Sequence, residues 1–342
     1  MADVLVTGGA GFIGSHVAQH LSSAGHAVTV VDDLSGGFVD NVPQGCAFVN
    51  GSVSDHRFVD ELFEEHDFHY VFHLAAYAAE GLSHFIRRFN YTNNVIGSIN
   101  LINASVRSNI ERFVFTSSIA VYGAAQLPMT ESTVPQPEDP YGVAKYAVEL
   151  DLRAAHEMFG LEYTIFRPHN VYGEHQNIGD KYRNVVGIFM NQLMQGQPLT
   201  IFGDGTQTRA FSHIDDVAPV IAGSIDVGAS VGEVFNIGAD HPYAVLELAH
   251  VVSHAFDAEP DINFLPARNE VLHAYASHEK LKQVFGDRPT VPLEIGIGRM
   301  ADWARKAGPR ATPEFEGVEV WENFPAGWES SVKRGHGDRA SG

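Results

Sequence analysis

Short apolar runs alternate with longer stretches of helical pattern along the first half of the chain. The apolar runs predict six strands, at residues 4–6, 27–31, 47–49, 69–74, 112–116 and 163–166. Apolar residues at helical spacing predict a helix that begins near residue 12, and further helices at residues 55–65, 90–108 and 141–159. Strands that alternate with helices favour a parallel sheet covered on both faces, so we predict a doubly wound α/β fold.

The alternation becomes irregular beyond Pro168. Short apolar runs at residues 199–202, 234–237 and 262–265 alternate with helical patterns at residues 185–195, 245–256 and 294–306. We interpret this part as a smaller lobe on the carboxyl edge of the sheet, where open α/β sheets bind their ligands. The expected organisation is a first domain at residues 1–170 that also receives later segments, a substrate-binding lobe at residues 171–310, and a C-terminal tail at residues 311–342.

A glycine-rich turn connects the first strand to the helix that follows it. Gly8, Gly11 and Gly14 allow a sharp turn, a close approach of a pyrophosphate to the backbone, and tight packing of the helix on the strand. The phosphates would lie at the positive end of that helix. Asp32 ends the second strand, about twenty residues downstream, where a carboxylate that binds a ribose is expected. The pattern predicts a Rossmann-type dinucleotide site.

Composition narrows the classes of partner. The 342 residues are 44% apolar, enough for a large core, and no apolar run approaches the ~20 residues that span a bilayer. The formal charge of −20 at pH 7 disfavours nucleic acid, whose phosphates need a basic surface. The lone Cys46 excludes an internal disulfide and Met1 leads directly into the first strand, so we expect a cytoplasmic protein without leader or membrane segment. His16 and His20 lack the acidic partner of a zinc cluster, and no metal is expected.

Candidate catalytic groups lie in the middle of the chain. Tyr141 and Lys145 are four residues apart on a predicted helix, so they share a face. An ammonium beside a phenol favours the phenolate, and we therefore expect a lowered pKa for Tyr141, as acid–base chemistry requires. Thr116, Ser117 and Ser118 end the fifth strand, at the edge where a substrate would lie. A hydroxyl there could share a substrate alcohol with Tyr141.

Together these motifs make the chain similar to the extended short-chain dehydrogenases/reductases, in the NAD-dependent epimerase/dehydratase group of nucleotide-sugar enzymes. The resemblance spans roughly residues 3–307. It is also carried, in chain order, by Asp32-Asp33-Leu34-Ser35, His73-Leu74-Ala75-Ala76, Asn93-Asn94 with Gly97, and the stretches at residues 117–123, 167–173 and 209–217. The resemblance implies a Rossmann-type fold with a substrate lobe, NAD as the cofactor and a nucleotide sugar as the substrate.

The resemblance also implies roles for individual residues. Ser118, Tyr141 and Lys145 resemble the catalytic triad of the family, and Asn94 resembles the residue that helps to hold the lysine through water. The expected cofactor contacts are Gly8, Gly11, Phe12, Ile13, Gly14, Asp32, Asp33, Ser35, Ser52, Val53, Leu74, Ala75, Ala76, Asn94, Tyr141, Lys145, Pro168 and His169. The expected substrate contacts are Ala78, Ser118, Tyr141, Asn170, Arg209 and Arg268.

The choice of NAD and the oligomeric state follow from the same comparison. Asp32 would accept hydrogen bonds from the adenosine ribose and would repel the 2′-phosphate of NADP. The helical patterns at residues 90–108 and 141–159 carry more aliphatic residues than one sheet face needs. In this family the equivalent helices pair across a two-fold axis, and we therefore expect a homodimer.

Three positions depart from the family's pattern. Ser52 stands where an aspartate usually reaches the adenine amino group, although a hydroxyl can still accept that hydrogen bond. Ala210 replaces the usual aspartate after Arg209, the residue expected to meet the nucleotide's phosphates. Arg268 is one residue away from the family's second arginine, so it contacts phosphate only if the backbone shifts. The last two departures lie in the substrate lobe and leave the sugar open.

The residues before the Val-Tyr-Gly turn at 121–123 bear on the type of reaction. The 4,6-dehydratases and decarboxylases that resemble this family carry an acidic residue there, because elimination needs an acid and a base beside the tyrosine. Here the positions hold Ile119 and Ala120, which favours a 4-epimerase. A dehydratase or reductase is the alternative enzyme. A non-enzymatic NAD-binding regulator would usually lack one member of the tyrosine–lysine pair.

The expected substrate is a UDP-hexose inverted at C4, with the glucose/galactose pair first and the glucuronate/galacturonate pair as the main competitor. Arg209 would pair with the diphosphate. The ketone has to turn over in the site, which favours few polar contacts near C5 and C6, from residues such as Ala78, Ala79 and Tyr172. A uronate also needs a donor for its carboxylate, for which the candidates are Arg87, Arg183 and Thr116.

Overall fold

A seven-stranded parallel sheet forms the centre of the structure, a computed structural model that describes residues 1–124, 126–267, 271–311, 315–325, 328 and 332–333. The strands in chain order are β1 (Asp3–Thr7), β2 (Ala27–Asp32), β3 (Ala47–Asn50), β4 (Tyr70–His73), β5 (Arg112–Thr116), β6 (Tyr163–Pro168), β7 (Val171–Tyr172), β8 (Leu199–Phe202), β9 (Thr208–Ala210), β10 (Ser212–His213), β11 (Glu233–Ile237), β12 (Pro242–Ala244), β13 (Ile262–Leu265), β14 (His273–Ala274), β15 (Phe315–Glu316) and β16 (Val332–Lys333). The main sheet has the order β11-β6-β5-β4-β1-β2-β3. The order in which strands are added to the sheet reverses between β1 and β4: β2 and β3 follow β1 on one side, and β4, β5 and β6 follow on the other. This point of reversal marks a ligand crevice at the carboxyl ends of the strands.

Helices connect the strands. In chain order they are α1 (Phe12–Ser23), α2 (His56–Glu65), α3 (Glu80–Ser83), α4 (Arg87–Tyr91), α5 (Gly97–Arg107), α6 (Pro140–Phe159), α7 (Val185–Met194), α8 (Ile214–Gly223), α9 (Val245–Ala255), α10 (Glu279–Phe285) and α11 (Leu293–Ala307). A π-helical turn at Thr92–Ile96 joins α4 to α5, so the single helix predicted at residues 90–108 is interrupted. None of the helices in the described ranges is long and apolar enough to cross a membrane.

Adjacent residues of β1 pack on opposite faces of the sheet, as the two-residue repeat of a strand requires. Val4 and Val6 join a buried cluster with apolar residues of α1 and α8. Leu5 joins a second cluster with residues of α2, α5 and α6. Helices therefore cover both faces, and the predicted doubly wound α/β fold is confirmed.

The smaller lobe follows β6 and has its own buried cluster. Phe189 of α7, Leu248 of α9 and Ile297 of α11 meet in it. The short strands β8 and β13 pair in parallel beside these helices. Strands and helices predicted at residues 185–195, 199–202, 245–256, 262–265 and 294–306 are all present in this part within one or two residues of the predicted bounds.

Two sequence predictions about this second half need correction. The run at residues 234–237 is a strand, but it belongs to the main sheet, since β11 pairs in parallel with β6 and not with a strand of the lobe. Helix α8 was missed because Pro219 lies inside it, and proline ordinarily ends a helical pattern. The division into parts at 1–170, 171–310 and 311–342 stays a prediction.

The C-terminal strap is the name we give to residues 315–325 and 328. Its Phe324 and Trp328 form a buried cluster with Leu82 of α3 and with Ile86, the residue just before α4. Exposure of Trp328 is 4%. The strap therefore packs across the two short helices that precede the π-helical turn.

Candidate active site

A cavity of about 390 Å³ opens at the carboxyl ends of β1, β2, β4, β5 and β6. The sequence-predicted residues that line it are Gly8, Gly11, Phe12, Ile13, Gly14, Asp32, Asp33, Ser35, Ser52, Val53, Leu74, Ala75, Ala76, Ala78, Ser118, Tyr141, Lys145, Pro168, His169, Asn170 and Arg209. We call the part around the glycine turn and Asp32 the glycine end, and the part around Tyr77, Glu80, Tyr141 and Arg183 the tyrosine end. Arg268 lies outside the described residues.

The glycine end is shaped by backbone that tolerates no side chain. Gly8 has φ +71°, and a Cβ placed there would lie 2.6 Å from the backbone nitrogen of Ala75. A Cβ on Gly14 would lie 2.1 Å from the carbonyl oxygen of Gly8. Helix α1 begins after Gly11, which provides no side-chain cap, so the amides of its first turn remain suited to an anion.

Asp32 is fixed at the end of β2 by two backbone amides. Its carboxylate accepts from Ala10 N at 3.1 Å and from Leu34 N at 2.8 Å. Burial raises the pKa of Asp32, while these hydrogen bonds oppose the shift. Asp33 in turn accepts from Ser35 N at 3.0 Å. The Asp32 carboxylate is therefore held in one orientation facing the cavity.

The tyrosine end is built on the first turns of α6. Asp139 caps this helix by accepting from Gly142 N at 2.9 Å, and Pro140 occupies its first position. Tyr141 and Lys145 then lie one turn apart on the face next to β5. Lys145 Nζ donates to the carbonyl of Thr116 at 2.8 Å, which ties the helix to the end of the strand.

The pKa of Tyr141 does not shift in the direction expected from the sequence. Burial raises it above its ordinary range, and the nearby carboxylate of Glu80 adds to the shift. A hydrogen bond with Ser118 and the charge of Arg183 oppose it. Lys145 is not among the groups that oppose the shift, and burial lowers the pKa of that ammonium itself to about 7. The expectation of a lowered pKa for Tyr141 is therefore wrong when the protein's own groups alone surround it.

Beneath the site lies a buried polar network that sequence analysis missed. Glu149 lies one turn beyond Lys145 on α6 and forms a two-pronged ion pair with Arg167, at 2.9 and 2.5 Å. Ser117 Oγ donates to the same carboxylate at 2.6 Å, and Arg167 also donates to the Tyr122 hydroxyl at 2.7 Å. Glu149 is 0% and Arg167 1% exposed. The network fixes Ser117, and with it the end of β5. The four-residue spacing of Glu149 from Lys145 was the available signal.

Asn94 lies behind the wall of the cavity. Its side chain bonds to both backbone groups of Tyr77, accepting from N at 2.8 Å and donating to O at 3.0 Å. It also donates to Asn90, whose amide donates to the carbonyl of Pro140 at 2.9 Å. Asn94 thus connects the Tyr77 segment to the start of α6, and its water-mediated role toward Lys145 stays a prediction.

Arg183 enters the tyrosine end from the loop before α7. It forms an ion pair with Asp180 at 2.6 Å, and its guanidinium lies 4.6 Å from the centre of the Tyr77 ring. Thr116 also lines the cavity, and its buried hydroxyl has no hydrogen-bond partner among the described residues. Arg87, by contrast, is exposed on α4. Two of the three candidate donors for a uronate therefore line the cavity.

His169 belongs to a chain of hydrogen bonds that sequence analysis did not find. Its Nδ1 lies 3.1 Å from the carbonyl of Ala210, and its Nε2 lies 3.0 Å from Nε2 of His278. His278 Nδ1 lies 2.6 Å from a carboxylate oxygen of Asp240. Carbonyls and carboxylates only accept, so both Nδ1 atoms carry hydrogen. Burial lowers the pKa of His169 to about 3, and hydrogen bonds with His278 and Lys282 hold the pKa of Asp240 well below its usual range.

The remaining predicted substrate residues lie at the lobe side of the cavity. Asn170 has φ +40°, a conformation that asparagine adopts more readily than most residues. The guanidinium of Arg209 donates to the carbonyls of Thr208, Val271 and Leu272 at 2.6–2.9 Å. These bonds hold the Arg209 fork at the edge of the cavity.

A glycine turn, a buried carboxylate after β2 and a tyrosine–lysine pair on a doubly wound sheet define a dinucleotide-dependent enzyme of the short-chain type. The chain belongs to the NAD dependent epimerase/dehydratase family, which matches residues 4–238. The predicted family, the epimerase type of enzyme and NAD as the cofactor are confirmed.

Three comparisons illustrate the relationship. UDP-glucose 4-epimerase of Mycolicibacterium smegmatis is 32% identical over 311 residues, which cover 88% of this chain and 98% of that protein. The structure of UDP-glucose 4-epimerase from Thermotoga maritima with UDP-glucose matches with a TM-score of 0.84 and 34% identity, over 89% of this chain and 99% of that one. UDP-glucuronic acid 4-epimerase from Bacillus cereus, in complex with UDP-glucuronic acid and NAD, matches with a TM-score of 0.82 and 28% identity over the same shares. Dehydratases and decarboxylases also occur among the relatives.

The residues of the glycine end fit NAD. The turn is a cradle that a Cβ at Gly8 or Gly14 would fill, and the start of α1 offers amides to a pyrophosphate. Asp32 offers a fixed carboxylate to ribose hydroxyls. Residues 52 and 53 and the segment 74–76 complete the wall at this end.

Proposed function

We propose that this protein is a 4-epimerase of UDP-hexoses, with the UDP-glucose/UDP-galactose pair as its first substrates. The observation that carries the proposal is the tyrosine end of the cavity. The phenol of Tyr141 and the hydroxyl of Ser118 meet there, and the neighbouring Ile119 and Ala120 have no titratable group. Two of the proteins compared above are UDP-glucose 4-epimerases, which supports the choice of sugar.

In the proposed mechanism the reacting proton moves through Tyr141. NAD, when bound, supplies the reversible oxidation at C4. Tyr141 takes the proton of the 4-hydroxyl and later returns it to the same oxygen, after the sugar has turned over in the cavity. Ser118 hydrogen-bonds that oxygen at both stages. Lys145, anchored on the carbonyl of Thr116, stabilises the phenolate whenever it carries its proton.

The type of reaction is tested by the products from a panel of nucleotide sugars. We expect NMR to show interconversion of UDP-glucose and UDP-galactose, with no change in mass. Positions 119 and 120 hold no acid, but three carboxylates line the cavity near Tyr141. Asp139 is engaged as the cap of α6, Glu138 accepts from Ala124 N, and Glu80 lies at the start of α3. Mass spectrometry that shows loss of water or of carbon dioxide from the sugar would contradict the proposal.

A second candidate substrate is UDP-glucuronate, and the position of Arg183 favours it. An arginine and an unpaired Thr116 hydroxyl in one cavity form a suitable donor set for a carboxylate at C6. The charge of Asp180 already pairs with Arg183, so the arginine is not an uncompensated cation. The carboxylate would compete with this partner for the same guanidinium.

Measured kcat/KM for UDP-glucose and UDP-glucuronate decides between these substrates. A preference of more than about tenfold for the acid, about 1.4 kcal/mol of transition-state binding, would overturn the first choice. Arg183→Ala should then lose activity on the acid far more than on the neutral sugar. Arg87→Ala is the matched control, because this arginine is exposed on α4.

We also propose a homodimer that forms through α5 and α6. Ile96 just before α5, and Val143 and Leu150 on α6, are 47%, 40% and 46% exposed, which is high for aliphatic residues next to the core. Leu150→Glu should lower the mass measured by light scattering to that of a monomer. Val134→Glu, at an exposed position outside both helices, should leave it unchanged.

A further inference from the structure

We propose that the C-terminal strap is a positioning element for the tyrosine end of the cavity. The strap lies beyond residue 307, where the resemblance to the family ends. Alignments with the relatives cover 98–99% of their chains but leave about a tenth of this chain unmatched. The inference deepens the proposed function, since it assigns to this segment a part in holding the sugar-binding wall.

The wall in question consists of two very short helices. α3 has four residues, whereas isolated helices shorter than about 12 residues are marginal in water. α4 has five residues and continues through the π-helical turn into α5, so it is the first turn of a longer helical stretch. Neither helix has a side-chain cap at its own N-terminus. Both nevertheless contribute to the cavity, through Glu80 at the start of α3 and Phe89 in α4. The stability of α3, and the order of the first turn of α4, therefore depend on what packs on them.

Glu319 of the strap supplies the cap that α4 lacks. Its carboxylate accepts from Arg88 N at 2.9 Å and from Phe89 N at 3.0 Å. Its own backbone N–H donates to the carbonyl of Phe85 at 2.7 Å. An anion at the start of a helix is favourable, because the free amides there carry partial positive charge. The cap thus comes from 230 residues further along the chain.

Trp328 packs against α3. Its indole lies so close that a Cβ on Gly81 would be 3.1 Å from the ring. It also makes an edge-to-face contact with Tyr182 at 5.2 Å, next to Arg183 in the chain. Helix α3 contacts the catalytic helix directly, since the hydroxyl of Ser83 accepts from Tyr141 N at 3.2 Å. One helix therefore separates Trp328 from the start of α6.

Phe315 supports the same wall at a third point. Its ring centre lies 5.7 Å from that of Tyr77 and 5.4 Å from that of Phe89. Tyr77 in turn carries the guanidinium of Arg183 on its ring. The strap thus contacts Tyr77 directly, contacts the chain neighbours of Glu80 and Arg183, and is separated from Tyr141 by α3. In the described part of the chain, the glycine turn at residues 8–14 makes no hydrogen bond or ring contact with it.

The proposal is tested with Trp328→Ala and Glu319→Gln in the full-length protein. Coupling energies carried by such contacts predict that KM for UDP-glucose rises about five- to tenfold, with a smaller change in kcat and an unchanged content of co-purified NAD. Hydrogen exchange of the NAD-bound protein without sugar should become faster in residues 80–91. This second readout needs no turnover, so it decides the proposal even if no UDP-sugar is a substrate.

Two controls separate positioning from general loss of stability. Phe63→Ala removes a buried aromatic ring of α2, which does not line the cavity, and Glu322→Gln changes an exposed carboxylate of the strap itself. Both should leave KM and the exchange of residues 80–91 unchanged. Unchanged exchange in Trp328→Ala and Glu319→Gln would overturn the proposal, as would a rise in KM that Phe63→Ala reproduces. Absence of turnover in the wild-type protein would instead overturn the proposed function alone.

Discussion

The glycine end of the cavity is held by contacts between neighbouring stretches of chain, whereas the tyrosine end is assembled from distant ones. Ala10 and Asp32, which meet at the glycine end, are 22 residues apart. Behind the tyrosine end, Arg88 and Glu319 meet across 231 residues. The first region depends mostly on backbone geometry, and the second depends on side chains from α3, α4, α6, the loop before α7 and the strap.

This difference explains how one fold can keep its cofactor and vary its sugar. A backbone cradle allows few changes, because a Cβ at Gly8 or Gly14 has no room. A wall of separate side chains can be altered one segment at a time. The compared structures agree with this view, since one from Thermotoga maritima holds UDP-glucose and one from Bacillus cereus holds UDP-glucuronic acid.

Tyr141→Phe should produce the largest effect and should be confined to the tyrosine end. Loss of a positioned acid–base group is expected to lower kcat by roughly 10²–10⁴-fold. The content of co-purified NAD should not change, because the glycine turn is untouched. Tyr146→Phe, on the same helix, is the control and should retain activity. Normal turnover in Tyr141→Phe would refute the proposed mechanism.

Gly14→Ala should damage the glycine end in the opposite pattern. The new Cβ would lie 2.1 Å from the carbonyl oxygen of Gly8, and overpacking of this kind costs about 1–3 kcal/mol. We expect loss of NAD from the purified protein and a lower melting temperature. Gly223→Ala is matched, since a Cβ there meets nothing within 4 Å. Equal NAD content in the two variants would show that the turn is not the cradle.

Buried His73 should make the protein less stable in acid. It lies at the end of β4 and bonds Thr7 and Ser98 at 2.8 Å each. Burial, together with the charge of Lys145, lowers its pKa to about 3. Below about pH 6.5 the unfolded chain binds a proton that the folded chain does not, so the free energy of unfolding should fall by up to about 1.4 kcal/mol per pH unit down to about pH 3.

Urea unfolding at pH 7, 6 and 5 measures this slope. His73→Gln should make the profile less steep but not flat, because burial also lowers the pKa of His169 to about 3. His56→Gln, at an exposed position, should leave the profile as in the wild type. A wild-type profile that is flat between these pH values would contradict the assignment.

Glu80→Gln, at the tyrosine end, should have the smallest effect of these substitutions. Glu80 raises the pKa of Tyr141, so its neutral replacement should lower that pKa and move the ascending limb of the pH–rate profile, on which Tyr141 loses its proton, to lower pH. Because Glu80 is exposed to solvent, removing its charge should change kcat by less than about tenfold. No shift of the limb would mean that Glu80 does not act on the phenol.

The sequence predicted the glycine end almost completely and the tyrosine end only in part. Gly8, Asp32, Tyr141 and Lys145 occur in local motifs whose spacing is tied to a turn or a helix, so each could be placed from its neighbours. Glu319 could not, because no periodic pattern relates a carboxylate to a helix cap 231 residues away.

Burial limited the predictions in a different way. The spacing of Lys145 and Tyr141 correctly suggested a shared face, but their pKa values depend on how deeply both groups are buried. The contact between His169 and His278 likewise joins residues that are 109 positions apart in the chain. The six strands of the first half were predictable because each contains a short apolar run, although β3, at the edge of the sheet, is not buried.

The position of β11 has a consequence for synthesis on the ribosome. β6 is complete when residue 168 has been made, but its partner on the outer side, β11, ends only at Ile237. During that interval the nascent sheet has an unpaired apolar edge, on which Phe166 awaits its ring contact with Phe235. Chains released in this window would present a strand ready to pair with another copy, so slow translation between these points should favour aggregation.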